Sequence, residues 1–256
     1  MKNHASIAVL LGAAVLASCG TKTFQDITGP AASSRMKFFN FGVNAPGVNF
    51  YANTTKMTAI SSTSGVESTT GTAYGSVGSG GFYASIAPGQ YTLAGTIAAA
   101  TDKDLAIAKV SATIADGKNY SFYMSGFYDA VAKAVDGFVV EDPFDAAIDY
   151  AIANVRFVHA MSNANAMTLY AKNTTTGVEV PVGSSVAYKA AGAFTPLPTA
   201  VYDLSARYAG ATTNAISRTG VSFSAGRVYS ISARGDITVT STTATNRPVL
   251  DNTANR

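Results

Sequence analysis

Few side chains in this sequence could do chemistry. The chain has two histidines, His4 and His159, and one cysteine, Cys19. His159 is the candidate within the body of the chain, because imidazole titrates near neutrality. It follows Phe157 by two residues and Val155 by four. On a strand it therefore shares their face, which predicts a core histidine donating to a backbone carbonyl. Beyond residues 1–19 no second His and no Cys is there to complete a zinc site or a Cys-His pair. Ser34-Arg35-Met36-Lys37 has the S-x-x-K spacing of serine acyl-transfer enzymes, but those enzymes need Ser and Lys one helical turn apart. Here the motif enters a strand, which sends the two side chains to opposite faces. The run Gly75 to Gly81, GSVGSGG, lacks the Lys-Ser/Thr of a phosphate loop and reads as a hairpin linker. Glu141, Asp142, Asp145 and Asp149 concentrate negative charge, with Asp142-Pro143 placed to cap a short helix. They lack the alternating acids of a calcium loop, which predicts a solvated linker. Asn53-Thr-Thr, Asn119-Tyr-Ser and Asn173-Thr-Thr have the form of glycosylation sequons and read as strand and turn residues. The expectation is no catalytic residue, no metal and no cofactor.

Cys19 has a different use. Residues 1–18 form a short n-region with Lys2, an apolar run from Ile7 to Leu16 and a small-residue step. The run is too short to span a bilayer and reads as an export signal. Leu16-Ala-Ser-Cys19 resembles the lipobox of bacterial lipoproteins, which implies cleavage before Cys19, acylation of its thiol and a membrane anchor with no spanning helix. Gly20 after the cysteine, where enterobacterial lipoproteins kept at the inner membrane carry aspartate, implies the outer membrane. Residues 19–34 read as the lipidated cysteine and a flexible tether; Gly20 to Ser34 would reach at most about 50 Å.

The elements that must position anything else come from a repeat. Met36 to Ala52 and Val155 to Ala171 align at an offset of 119, sharing Phe38/Phe157, Asn44/Asn163, Ala45/Ala164, Tyr51/Tyr170 and Ala52/Ala171, with Lys37 matching Arg156. GQYTLAG around Tyr91 matches AVYDLSA around Tyr202 at an offset of 111, and DGKNYSF around Tyr120 matches AGRVYSI around Tyr229 at 109. The shrinking offset places extra residues in the first copy, mostly in a long glycine-rich loop from Ile60 to Gly81. Apolar residues alternate in both copies, as Tyr91, Leu93 and Ile97 do against Thr92 and Thr96, and turn residues separate the runs. The prediction is an all-β chain of two tandem antiparallel β-sandwiches, the first over 35–148 and the second over 149–256. Charged residues are 13% of the chain and its net charge is +3. That charge is too small and too dispersed for a nucleic-acid footprint.

The same residues carry a family resemblance. RFVHAMSNANAMTLYA, from Arg156, resembles the opening signature of domain-of-unknown-function family 4397, roughly R-V-x-H-A-x-x-x-A-P-x-V-D-V-Y. PGQYTL, from Pro88, resembles its P-A-G-x-Y-x-L strand, and Glu141-Asp-Pro-Phe144 the acidic link between tandem members. The resemblance covers most of Met36 to Asp251 and implies an exported bacterial protein, often a lipoprotein, with an Ig-like or transthyretin-like sandwich. Asn40 stands where the signature has His in the first copy, and Asn165 where it has Pro in the second.

The copies differ in two ways. The first carries Phe-Tyr pairs at 50–51, 82–83, 122–123 and 127–128. Taking Phe38/Phe157, Tyr83/Phe194 and Phe122/Ile231 as inward leaves Phe39, Phe41, Phe82 and Tyr123 outward, opposite Val158, Ala160, Ala193 and Ser232. Such a face is normally covered, by the linker or the other domain, by a second copy, or by a ligand. Arg35 to Tyr150 holds seven Lys/Arg and ten Asp/Glu, net −3, whereas Ala151 to Arg256 holds nine and four, net +5, so electrostatic docking of the halves is expected. The leading functional expectation is a non-catalytic envelope lipoprotein, anchored at the outer membrane, that binds a protein or glycan or serves structurally. The alternatives are a glycan-modifying or hydrolytic enzyme with carboxylates joined by the fold, and a periplasmic carrier with an aromatic-lined cavity of about 300 Å³ or more.

Overall fold

The alternating segments become strands, and the computed structural model, which describes residues 32–58, 70–144 and 147–256, arranges them in two equivalent sets. The first set is β1 (Ser34–Asn40), β2 (Val48–Ala52), β3 (Thr55–Lys56), β4 (Ser76–Val77), β5 (Ala84–Ile86), β6 (Gly89–Ile97), β7 (Ala106–Ile114), β8 (Asn119–Asp129) and β9 (Ala134–Glu141). The second is β10 (Ile152–His159), β11 (Met167–Asn173), β12 (Glu179–Val186), β13 (Ala190–Ala191), β14 (Thr195–Pro198), β15 (Ala200–Tyr208), β16 (Ile216–Phe223), β17 (Val228–Arg234) and β18 (Val249–Ala254). Strand n of the first set corresponds to strand n + 9 of the second.

Each set builds two sheets. In the first repeat these are β3-β2-β6-β7 and β4-β1-β8-β9, with β5 also on β1; in the second, β12-β11-β15-β16 and β13-β10-β17-β18, with β14 on β10. The ladders are antiparallel except β1–β8 and β10–β17, which are parallel. The antiparallel expectation is corrected at those two ladders because no hairpin joins their strands, so turn geometry does not dictate direction. Their registers are equivalent: Lys37 lies beside Ser121, and Arg156 beside Ser230.

Each repeat encloses its own core. In the first, Phe38 stacks on Phe50 at 5.2 Å and meets Phe122 edge-on at 6.3 Å, among Met36, Leu93 and Met124. In the second, Phe157, Leu169, Leu204, Phe223 and Ile231 are buried together. A third cluster belongs to neither sandwich. Phe39, Phe41, Tyr123 and Phe138 of the first repeat pack with Val158 and Ala160 of the second. The outer faces of the β1 and β10 sheets thus meet, giving four layers of sheet, and residues 32–256 close into one compact unit.

Part of the expected 60–81 loop is ordered differently. Residues 59–69 lie outside the described set, but Ser76–Val77 pairs with β1 and Gly78–Gly81 forms a 3-10 turn with Ser79 and Gly80 in the left-handed region. Tyr83 and Phe194, both expected to face their cores, lie instead at the contact between repeats beside Lys37 and Arg156, so their inward assignment is corrected. The helix expected after Asp142-Pro143 is likewise not seen among the described residues.

Candidate functional site

His159 is fully buried at the end of β10. Its Nδ1 accepts from the Met161 N–H, which leaves Nε2–H to donate to the Asn165 carbonyl at 3.0 Å. Burial lowers its pKa, so the neutral ring is favoured in this setting. The equivalent residue, Asn40, donates from Nδ2 to the Pro46 carbonyl at 3.1 Å and to Thr72 at 2.8 Å. Pro46 and Asn165 correspond, so imidazole and amide tie down the same loop. The replacement of His by Asn between copies was the sequence signal that the position needs a donor rather than a base.

The chemically richest place is the contact between repeats. Arg156 and Lys37 are each 1% exposed and project from the outer faces of β10 and β1. Arg156 crosses to the end of β9: Nη1 donates to the Glu141 carbonyl at 2.8 Å, Nη2 pairs with the Asp142 carboxylate, and Nε donates to Ser230 Oγ at 2.9 Å. Lys37 crosses the opposite way, to the end of β18, where Nζ donates to the Ala254 carbonyl at 2.7 Å and to Asn255 Oδ1 at 3.3 Å. The registers make Glu141 equivalent to Ala254, placed opposite Tyr120 and Tyr229, and hence Asp142 equivalent to Asn255. Ser121 donates to Asp142 at 2.7 Å, while Asn255 donates to Ser230 at 2.8 Å. Each cation also lies over the ring of its own repeat at equivalent positions, Lys37 4.4 Å from Tyr83 and Arg156 4.8 Å from Phe194. The interface therefore has the reciprocity of a two-fold dimer contact within one chain.

The symmetry fails in its charges. Arg156 meets a carboxylate, itself 1% exposed and also accepting from Tyr83 at 2.6 Å. Lys37 meets a carbonyl and an amide. Burial pushes its ammonium pKa down to about 8, partly opposed by Asp142, while burial and the Asp142 charge hold the Tyr83 phenol well above its usual range. The expectation that Asp142 belongs to a solvated linker is overturned, because a buried guanidinium requires a buried counter-charge. Asp149 is exposed and caps the Ala151 N–H at 2.8 Å; Asp145 lies outside the described residues, as does Cys19.

Beside this polar cluster lies the aromatic one. Tyr123 is sandwiched between Phe39 at 4.3 Å and Phe138 at 5.1 Å, with Phe41 at 5.8 Å. Phe39, Phe41 and Tyr123 are 1% exposed or less and lie against Val158 and Ala160. Phe82, the fourth member of the expected face, is 77% exposed and stands apart from them. Beyond the aromatics, Tyr188 reaches back to Ser125 at 2.9 Å and Arg234 lies over Tyr74 and Phe41. Gly75 and Gly126, both at positive φ, admit these contacts, since a Cβ would come within 2.8 Å of the Arg234 guanidinium and 3.2 Å of the Tyr188 hydroxyl. Of the expected electrostatic docking, the Lys189–Asp136 pair at 2.6 Å is exposed and the Arg156–Asp142 pair is buried.

A crevice of about 770 Å³ opens at the Lys37 end, between Tyr83 and Phe82 of the first repeat and Arg227 and the 252–256 segment of the second. Ser34 and Lys37 do face apart: Ser34 Oγ donates to the Ala115 carbonyl, away from the repeat interface. Among the described residues no group of three or more His, Cys, Asp or Glu could hold a metal ion, and no helix is long and apolar enough to cross a membrane.

Residues 153–256 match the family model described as Domain of unknown function (DUF4397), so the second repeat is a domain of that family. No curated protein matches the sequence.

Proposed function

We propose that the chain is a non-catalytic lipoprotein of the bacterial cell envelope, held at the outer membrane by acylated Cys19, whose fused double sandwich binds a glycan or a protein. The supporting observation is how the buried polar groups are used. Arg156, Asp142, Ser121 and Ser230 bond to one another across the repeats, and His159 ties a loop. Groups committed to such bonds hold the repeats in register. The open crevice beside Lys37 is of the size that small ligands occupy, which favours binding over a purely structural part.

Two measurements test this reading. Cys19→Ser should lose metabolic lipid label and move from the membrane to the soluble fraction; a variant that stays on the membrane, with no label on the parent, defeats the anchor. Cross-linking on intact cells should then capture one recurring envelope partner, protein or glycan, with the parent chain. Recovery of nothing above the Cys19→Ser background would defeat the binding role.

A further inference from the structure

The crevice at the Lys37 end differs from its counterpart at the Arg156 end. Two cationic side chains, Lys37 and Arg227, line it beside the Arg256 segment, whose guanidinium turns away to lie over Phe144 and donate to the Ala147 carbonyl, and no acidic side chain does. Lys37 forms its floor and is bonded to two neutral groups, whereas the equivalent Arg156 has a carboxylate. A buried cation that feels Asp142 only at a distance and is bonded to no carboxylate favours an anion that can reach it. Arg227 is exposed at the rim and has no side-chain ion pair among the described residues. At the other end, the hollow beside Phe194 is smaller, about 540 Å³, and Pro143, Phe144 and Asp149 of the linker line it.

Phe82 supplies the second half of the argument. It sits on the crevice wall, 77% exposed, directly after the glycine turn. Its counterpart in the second repeat is Ala193. A phenyl ring held in water beside a cationic pocket is placed to pack on the flat apolar face of a ring that also carries charge.

We propose that this crevice binds an anionic sugar, whose carboxylate or phosphate is received by Lys37 and Arg227 and whose ring lies on Phe82. The inference rests on reading the double sandwich as a binding module and names the ligand class for it. Calorimetric titration of the full chain with four probes tests it: a glucuronate-containing disaccharide, the same disaccharide with glucose in place of glucuronate, glucose 6-phosphate and inorganic phosphate. At least one of the two charged sugars should bind tenfold or more tightly than the neutral disaccharide, and the better of them identifies the anion. Arg227→Ala should weaken that charged sugar about tenfold, and Phe82→Ala should weaken it similarly while leaving inorganic phosphate unchanged. Both positions are exposed, so neither variant endangers folding. Equal binding of the neutral disaccharide overturns the role of the cations. Binding of inorganic phosphate as tight as that of the sugars, with no effect of Phe82→Ala, overturns the role of the ring. If no charged probe binds, the crevice is not the site, whereas a partner cross-linked on cells would still uphold the broader binding role.

Discussion

Lys37 and Arg156 hold one position in two copies of the same sandwich, and both cross the interface to the same place on the opposite repeat. One ends on a carboxylate, the other on an amide and a carbonyl. The difference shows what a fused pair can do that a symmetric homodimer cannot. Duplicated subunits would need both ends alike, either two buried acids or none. In a single chain, one end can be neutralised for stability while the other keeps its cation beside an open crevice. The aromatic layer follows the same logic. The first repeat contributes Phe39, Phe41, Tyr123 and Phe138, and the second covers them with Val158 and Ala160, large against small as close packing of two sheets requires.

Separating the halves breaks this comparison most severely. Expressed alone, residues 35–148 should self-associate or precipitate, because three aromatic side chains that are now at most 1% exposed become surface. Residues 149–256 should stay monomeric, since small residues and a guanidinium replace that patch. Size-exclusion chromatography distinguishes the halves, and two equally soluble monomers would contradict the account of the interface. In the intact chain, Tyr123→Ala should lower the unfolding free energy by about 3 to 5 kcal/mol, whereas Ser232→Ala at the equivalent position should change it by less than about 1 kcal/mol. Chemical denaturation reads both.

The two ends of the polar cluster can be compared directly. Asp142→Ala strands the Arg156 guanidinium and should cost about 3 to 5 kcal/mol. Asn255→Ala removes a neutral partner and should cost about 1 to 2 kcal/mol. Equal losses in denaturation midpoints would mean that the charge asymmetry carries no weight.

The smallest expected effect is in pH. Lys37 has a folded pKa lowered to about 8, so the folded state sheds its proton before the unfolded chain does, and stability should rise as pH climbs from about 8 toward 10. The gain is on the order of 1 to 2 kcal/mol. Above about 10 the trend should reverse, because Tyr83 and Tyr123, the latter pushed up to about 12 by burial, keep their protons in the fold while the unfolded tyrosines ionise. Asn255→Asp supplies the missing carboxylate and should raise the Lys37 pKa and flatten the rise between 8 and 10. A rise that persists in that variant would place its origin elsewhere.

Much of this was legible from residue types and spacing. The repeat at offsets of 119, 111 and 109 marked two copies, and period-two alternation made them strands. Equivalent positions with unlike residues singled out Phe39, Phe41 and Tyr123 as facing away from their own core. Local pattern could do this because a strand's side chains alternate wherever the strand runs. It misled at Tyr83 and Phe194, which the antiparallel registers set beside the outward-facing Lys37 and Arg156, and at Asp142, whose setting among acids and proline suggested water. Which outer face meets which is decided by contacts between residues more than a hundred positions apart, such as Lys37 with Ala254. No periodicity encodes such a contact, because it depends on how two twisted sheets fit together. The partner that buries Asp142, the neutral bonding of Lys37 and the crevice at its end therefore exist only once the two sandwiches have closed on each other.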